Sequence, residues 1–291
     1  MKLPASSAYF PYRPEALLRV SGDDAASFLQ GQFTNDLAGL APGKAAYGLW
    51  LDVKGRVQAD SFVIGGPGAG EFWIASLFSP GALLKKRLED FIIADDVTVE
   101  EPAAPWDGFA LVGAEAGAWL AAEPRPGLVF PARRSAEPAW EWLVPPEQGR
   151  AARAQLAQAA ELSAEEMERR RIAAGIPRIP GDLGPADLPN EGGLEGAAIS
   201  YSKGCYLGQE VMARLKSRGR LRRRLARVAG RGAPPPLPAP LWRGAEKAGE
   251  LRSAARDASG GGYSGLALLA VGAVGAELAF SAGGTAALRP A

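Results

Sequence analysis

Histidine is missing from all 291 residues of this chain. No Ser-His-Asp or Cys-His pair can be built, and no imidazole can act as a general base near neutral pH or ligate a metal. There is one cysteine, Cys205. That excludes an internal disulfide and any cysteine-rich zinc or iron–sulfur cage within one chain. A lone thiol fits a reducing compartment. Neither sign of charge is in excess: 33 lysines and arginines face 32 acids, so net charge points to no partner. The start, Met1-Lys2-Leu3-Pro4-Ala5-Ser6-Ser7, lacks the apolar core of a signal peptide. The longest apolar run, Gly265 to Ala276, is about half of what spans a bilayer, and Glu277 closes it. These absences predict a soluble, cytoplasmic protein with no membrane partner.

What is present divides the chain in three. The length is enough for two or three domains with a sizeable core. In residues 15–100 apolar strands alternate with helical patterns. Asp23 or Asp24 is placed to cap a helix through Phe28 and Leu29. Residues 47–51 and 57–64 read as two strands joined by the turn Asp52-Val53-Lys54-Gly55-Arg56. Phe72–Ala75 and Val97–Glu100 are further strands, and Ser79-Pro80-Gly81 opens a helix running through Leu83, Leu84, Leu88, Phe91 and Ile92. Strands with crossing helices indicate an α+β layer.

The break at Glu101-Pro102-Ala103-Ala104-Pro105 ends a first unit over 1–104. A second, over 105–230, holds the strand Phe109–Gly113 and helices over Gly149–Ala160 and Ser163–Ala174, the latter opened by Ser163 and Glu166 as a capping box. Its Gly/Pro-rich stretch from Gly175 to Gly196 is too long for a passive connector. The proline run 234–238 leads into a third unit over 231–291, with short strands around 249–252 and 266–269.

The chemistry concentrates in Lys203-Gly204-Cys205-Tyr206-Leu207-Gly208-Gln209-Glu210. Gly208 to Leu215 reads as a helix start, which puts the sulfur just ahead of a helix N-terminus. The dipole and the Lys203 ammonium would both favour thiolate. The alternative is that Cys205 is a small buried hydrophobe, although flanking glycines point to close backbone approach. Two other segments offer polar groups. Gln32, Asn35 and Asp36 follow an amphipathic helix, where Asn and Asp can also simply close a turn. Glu191 is an isolated acid in the Gly/Pro stretch, where solvation is its ordinary state. The basic run from Arg214 to Arg227 alternates in part at period two. It could contact phosphates or a ligand's carboxylates, but no aromatic interleaves it, and it reads as a solvated edge strand kept apart by charge.

The octapeptide resembles the signature of the YgfZ family, folate-binding proteins related to the glycine cleavage T-protein. Residues 19–25, 28–37, 51–57, 171–177 and 188–191 are similar to that family's other blocks, in the same order. The resemblance implies a three-domain arrangement around a central folate cavity, closed by a small C-terminal β-barrel. It implies tetrahydrofolate or a one-carbon derivative as cofactor, and iron–sulfur assembly or client proteins as partners. Cys205 with Lys203 would then carry the chemistry, and Gln32, Asn35, Asp36, Asp60, Glu191, Tyr206 and Arg214 would serve the folate. Two other functions are implied less directly: a folate-dependent aminomethyltransferase and an RNA-binding accessory module of tRNA modification. Two positions depart from the T-protein pattern. Ala59-Asp60 stands where T-proteins carry two adjacent acids, and Ala173 stands where they carry an acid that grips the pterin. The first departure argues against classical turnover, and the neutral charge balance argues against nucleic acid.

Overall fold

The computed structural model describes residues 2–291. Its elements begin with β1 (Ala8–Tyr12), β2 (Ala16–Ser21), α1 (Ala25–Gln32), β3 (Ala45–Leu51), β4 (Val57–Gly65), β5 (Glu71–Ser76), α2 (Gly81–Glu89) and β6 (Thr98–Glu100). Next come β7 (Asp107–Val112), α3 (Ala116–Ala121), β8 (Leu128–Pro131), β9 (Ala139–Val144), α4 (Pro146–Leu156), β10 (Ala160–Glu161) and α5 (Ala164–Ala173). The remainder is α6 (Glu195–Ala198), α7 (Gln209–Arg218), β11 (Arg223–Arg231), β12 (Ala239–Arg243), β13 (Glu246–Arg256), β14 (Gly262–Ala270) and β15 (Leu288–Pro290). Single 3-10 turns lie at Pro189–Gly192 and Val271–Ala273.

The strands form three five-stranded sheets. The first runs β3-β4-β5-β2-β6 and carries α1 and α2 on a face made of Leu18, Val20, Trp50, Val63 and Ile74. Its β3–β4 hairpin closes as the turn residues predict. The Asp52 carboxylate accepts the N–H groups of Lys54 and Arg56, at 2.9 and 2.8 Å. The second sheet runs β10-β1-β7-β9-β8, with α3 and α4 packed on Trp119, Trp142 and Leu156. Its strand β1 comes from the very start of the chain, antiparallel to β7 and parallel to β10. A cluster of Leu17, Phe62, Ile64, Ala75, Phe130 and Leu143 joins the first sheet to the second. The third sheet runs β12-β13-β14-β11-β15. Trp242 of β12 bridges Ala279, and Leu278 bridges Leu288 of β15, so one segment ties both edges and the sheet curls into a half-barrel.

Three expectations change here. The basic run as a whole is not one strand: Arg214–Arg218 close helix α7, and in β11 only Val228–Gly230 have strands on both sides, β14 and β15, while the residues from Arg223 to Arg227 pair with β14 alone. Helix α2 stops at Glu89, so Phe91 and Ile92 lie beyond it. Helix α4 spans Pro146–Leu156, because Pro145 and Pro146 fit a helix entrance and β10 takes residues 160–161. The Gly/Pro-rich stretch is a structural seam. Its Ile179, Leu183 and Leu194 are buried, and Asp182 meets Arg171 at 2.7 Å and Ser253 at 2.5 Å, stitching α5 to β13. No helix among the described residues is long and apolar enough to cross a membrane.

Candidate functional site

Strand alternation turns Asp60 inward while its neighbour Ala59 is fully buried on the opposite face. Asp60 is 7% exposed and lines a small recess with Tyr47, Phe78, Arg133, Ile176 and Pro177. Its carboxylate accepts from Ser79 (2.8 Å), Tyr47 (3.0 Å) and Ser76 (3.3 Å). Burial raises its pKa above the ordinary carboxylate value, and those hydroxyls and Arg133 pull the other way. Burial also holds the Tyr47 phenol well above its usual range, with the Asp60 charge adding to the effect.

Through Phe78 and Arg133 this recess adjoins an open cleft of about 340 Å³, between the first sheet and the second sheet with α5. Phe10, Phe78 and Met167 give it apolar walls. Its cations differ in how far they are engaged. Arg134 pairs with Glu141 at 2.7 Å, Arg171 with Glu168 and Asp182 at 2.7 Å, and Arg178 with Glu168 at 2.8 Å. Among the described residues Arg133 has no salt bridge to a carboxylate, and it stands 4.9 Å above the Tyr47 ring. The cleft has the size of a small-ligand site, with an apolar wall, a buried acceptor in the adjoining recess, and one cation that lacks a salt bridge among the described residues.

The octapeptide builds a second centre. Cys205 is a free, exposed thiol, so the buried-hydrophobe alternative is excluded. It does stand ahead of α7, whose first residue is Gln209. Of the two glycines only Gly208 is there for close approach. Its φ is +85°, and a Cβ would come within 2.8 Å of the Asp52 carbonyl, whereas Gly204 faces open space. Lys203 is 7% exposed. Its ammonium donates to the carbonyls of Gln30, Phe33 and Asn35, at 2.7, 2.8 and 2.9 Å. All three N–H groups are thereby used on the exit of α1, and none is left over for the thiol. Burial lowers the Lys203 pKa to about 8, with Asp36 pulling it upward. Tyr206 is buried, its ring 5.3 Å from that ammonium, its hydroxyl without a hydrogen-bonding partner among the described residues, and its pKa raised to about 12 by burial.

The remaining residues singled out from the sequence lie outside the cleft. Gln32 accepts from Arg87 at 3.1 Å. Asp36 accepts from the Gln30 side chain and the Ala38 N–H, a local turn that lowers its pKa. Asn35 donates to the Tyr47 carbonyl at 2.8 Å. Glu191 is buried, not solvated: it holds Arg223 at 2.8 Å and the Leu188 N–H, fixing the 3-10 turn to β11. Arg214 is exposed and paired with Glu210 on α7. Ala173 sits exposed at the end of α5, where its carbonyl receives Arg227. Phe78, Arg133 and Arg178 had no sequence signal, since each belongs to a different segment. The two centres are nonetheless joined. Lys203 donates to the Asn35 carbonyl, Asn35 donates to the Tyr47 carbonyl, and the Tyr47 hydroxyl donates to Asp60.

Comparison with known proteins defines the class first. The solved structure of glycine cleavage system aminomethyltransferase T from Bartonella henselae superposes with a TM-score of 0.77 at 20% identity, covering 98% of this chain and 85% of that one. The fold is therefore T-protein-like, of mixed α/β content with a half-barrel C-terminal sheet. A family model described as the GCVT N-terminal domain matches residues 8–124. The tRNA-modifying protein YgfZ of Pectobacterium carotovorum subsp. carotovorum is 30% identical over 234 residues, 74% of this chain and 68% of that protein. The mitochondrial iron-sulfur cluster assembly factor IBA57 of Mus musculus is 34% identical over 244 residues. That alignment covers 77% of this chain and 66% of the mouse protein, so the chain spans under two thirds of that relative's length. This chain belongs to the YgfZ family of T-protein-related proteins.

Proposed function

We propose that this chain binds a reduced folate, tetrahydrofolate or a one-carbon derivative, in the cleft beside Asp60, and supports iron–sulfur cluster assembly or repair in client proteins through Cys205. The observation that carries the folate reading is the cleft itself. Phe78 and Met167 would cover a pterin ring, Asp60 would accept from its N–H groups, and Arg133 would meet the tail carboxylates. In this reading the three sheets are three domains set around that cleft. The iron–sulfur half is supported by the names of the relatives and by the exposed thiol. One thiol cannot hold a cluster, so Cys205 would act on cluster or sulfur presented by a second protein.

Bound folate would not be turned over by aminomethyl transfer. That chemistry needs a group to manage the proton on the reacting nitrogen. Only Asp60 remains of the family's acidic pair, beside Ala59, and there is no histidine. Titration with tetrahydrofolate should show saturable binding, weakened at least about ten-fold, near 1.4 kcal/mol, by Arg133→Ala. Absence of binding at millimolar ligand would remove folate from the reading. In cells lacking the protein, Cys205→Ala should fail to restore iron–sulfur enzyme activity while Asp60→Asn largely restores it. The reverse pattern would favour the transferase.

A further inference from the structure

Acid is missing from one long stretch of this chain. From Val211 to Ala245 there is no aspartate or glutamate, while arginine and lysine occur ten times. Some of these cations are engaged: Arg214 with Glu210, and Arg223 with Asp187 and Glu191. Five in nine residues are not. Lys216, Arg218, Arg220, Arg222 and Arg224 are all exposed, and none pairs with a carboxylate or donates a side-chain hydrogen bond among the described residues. Lys216 alone has a contact, 4.0 Å over the Tyr201 ring.

Two ordinary explanations each cover only part of it. Charges of this kind guard exposed sheet edges, and β15 pairs only with Val228–Gly230, which leaves the start of β11 open on one side, but Lys216, Arg218 and Arg220 precede the strand. Cations also suit a helix C-terminus, which accounts for Lys216 and Arg218 in the last turn of α7 but not for Arg220, Arg222 and Arg224 beyond it. The Arg222 carbonyl receives the Val271 N–H, extending the ladder, so Arg222 and Arg224 share one face of the sheet. The result is a linear track of like charges whose mutual repulsion a bound polyanion would relieve.

We propose that residues 216–224 form a binding surface for the phosphodiester backbone of a nucleic acid. Four of the five cations are arginines, whose planar forks match phosphate oxygens in pairs. The one aromatic nearby, Tyr201, is covered by Lys216, so the surface grips backbone and does not stack bases. A protein interface of comparable charge would need an apolar or aromatic centre. Beside Arg222 the exposed apolar residues Val271 and Val274, at 47% and 41%, are small and aliphatic. The track and the cysteine loop sit at opposite ends of α7, about 15 Å apart along its axis, so a bound nucleic acid would lie beside the thiol without covering it.

The test uses the full chain and fluorescence anisotropy with two labelled probes, a stem-loop RNA and a DNA duplex of equal length. Saturable binding at low salt is expected, weakening with salt on a log–log slope of up to about −4.5 if all five cations engage a duplex. Replacing all five by glutamine should weaken binding at least about ten-fold and flatten the slope, leaving the thermal midpoint and folate affinity unchanged. Saturable binding of either probe supports the proposal, and the probe bound more tightly identifies the source of the phosphates. No saturable binding at low salt, or binding indifferent to the five substitutions, overturns it. Displacement by polyglutamate at RNA-like concentrations also overturns it, and gives the surface to an acidic protein. None of these outcomes bears on the folate cleft.

Discussion

A hydrogen-bonded path joins Asp60 to Lys203, two residues from Cys205, yet the surroundings of the carboxylate and the thiol differ in kind. Asp60 is 7% exposed, sits mid-strand, and has three hydroxyl donors around its carboxylate. Cys205 is exposed and sits on a loop, and among the described residues no side chain is hydrogen-bonded to it. The carboxylate is held by its own contacts. The thiol is held by its neighbours: Lys203 on the exit of α1, and the Leu207 N–H on the Gly31 carbonyl at 3.1 Å. The acceptor of the proposed ligand site is buried between strands. The thiol proposed to meet a second protein is displayed, and its steadiness comes from anchors on either side of it.

That contrast can be broken most severely at Lys203. Lys203→Met would leave three carbonyls without their shared buried donor, at a cost of about 3 kcal/mol. Urea unfolding should show the loss as a lower midpoint with an unchanged slope. A loss below about 1 kcal/mol would mean that the loop is held by other contacts and that the ammonium is not its anchor.

A middle-sized effect belongs to Asp60 and depends on pH. Its folded pKa is raised above the ordinary 3.8. From that value upward the folded state keeps a proton that the unfolded chain has released, so its contribution to stability falls as pH rises through the window. Asp60→Asn lacks this titration. Unfolding free energies measured from acid to neutral pH should therefore diverge, the wild type losing ground to the asparagine variant as pH increases. Parallel curves would mean that Asp60 titrates as it would in water.

The smallest effect is expected at the residue with the largest functional claim. Cys205→Ser alters an exposed thiol outside the buried clusters, and should change stability by less than about 0.5 kcal/mol. A larger loss would show that the thiol also serves the fold, and the comparison between a self-held carboxylate and a neighbour-held thiol would need redrawing.

Much of this was legible in the sequence, for reasons that residues make plain. The hairpin at Asp52–Arg56 and the helix after Gly208 are local events, set by turn chemistry and by a glycine that only a positive φ explains. Ser163 was recognisable as a cap, and its hydroxyl does accept the Glu166 N–H at 3.1 Å. The cleft was not legible. Tyr47, Phe78, Arg133 and Arg178 come from four distant segments, and β1 crosses to the second sheet without any signal in its own composition. The roles of Lys203 and Glu191 were hidden for another reason. One binds backbone carbonyls, which every residue possesses, and the other pairs with an arginine 32 positions away.

The grip of Lys203 on Gln30, Phe33 and Asn35 carries a lesson for finding distant kin of this chain. The thiol and its anchor are two residues apart, but what the anchor holds is the shape of a helix exit some 170 positions earlier. A search pattern built on the cysteine alone will gather chains whose loop has nothing to fasten to. A pattern that demands the lysine, and a helix ending at the right place near the N-terminus, asks instead whether the loop can keep its form. The octapeptide is thus half of a fastening, and the other half is written in backbone, where no residue alphabet records it.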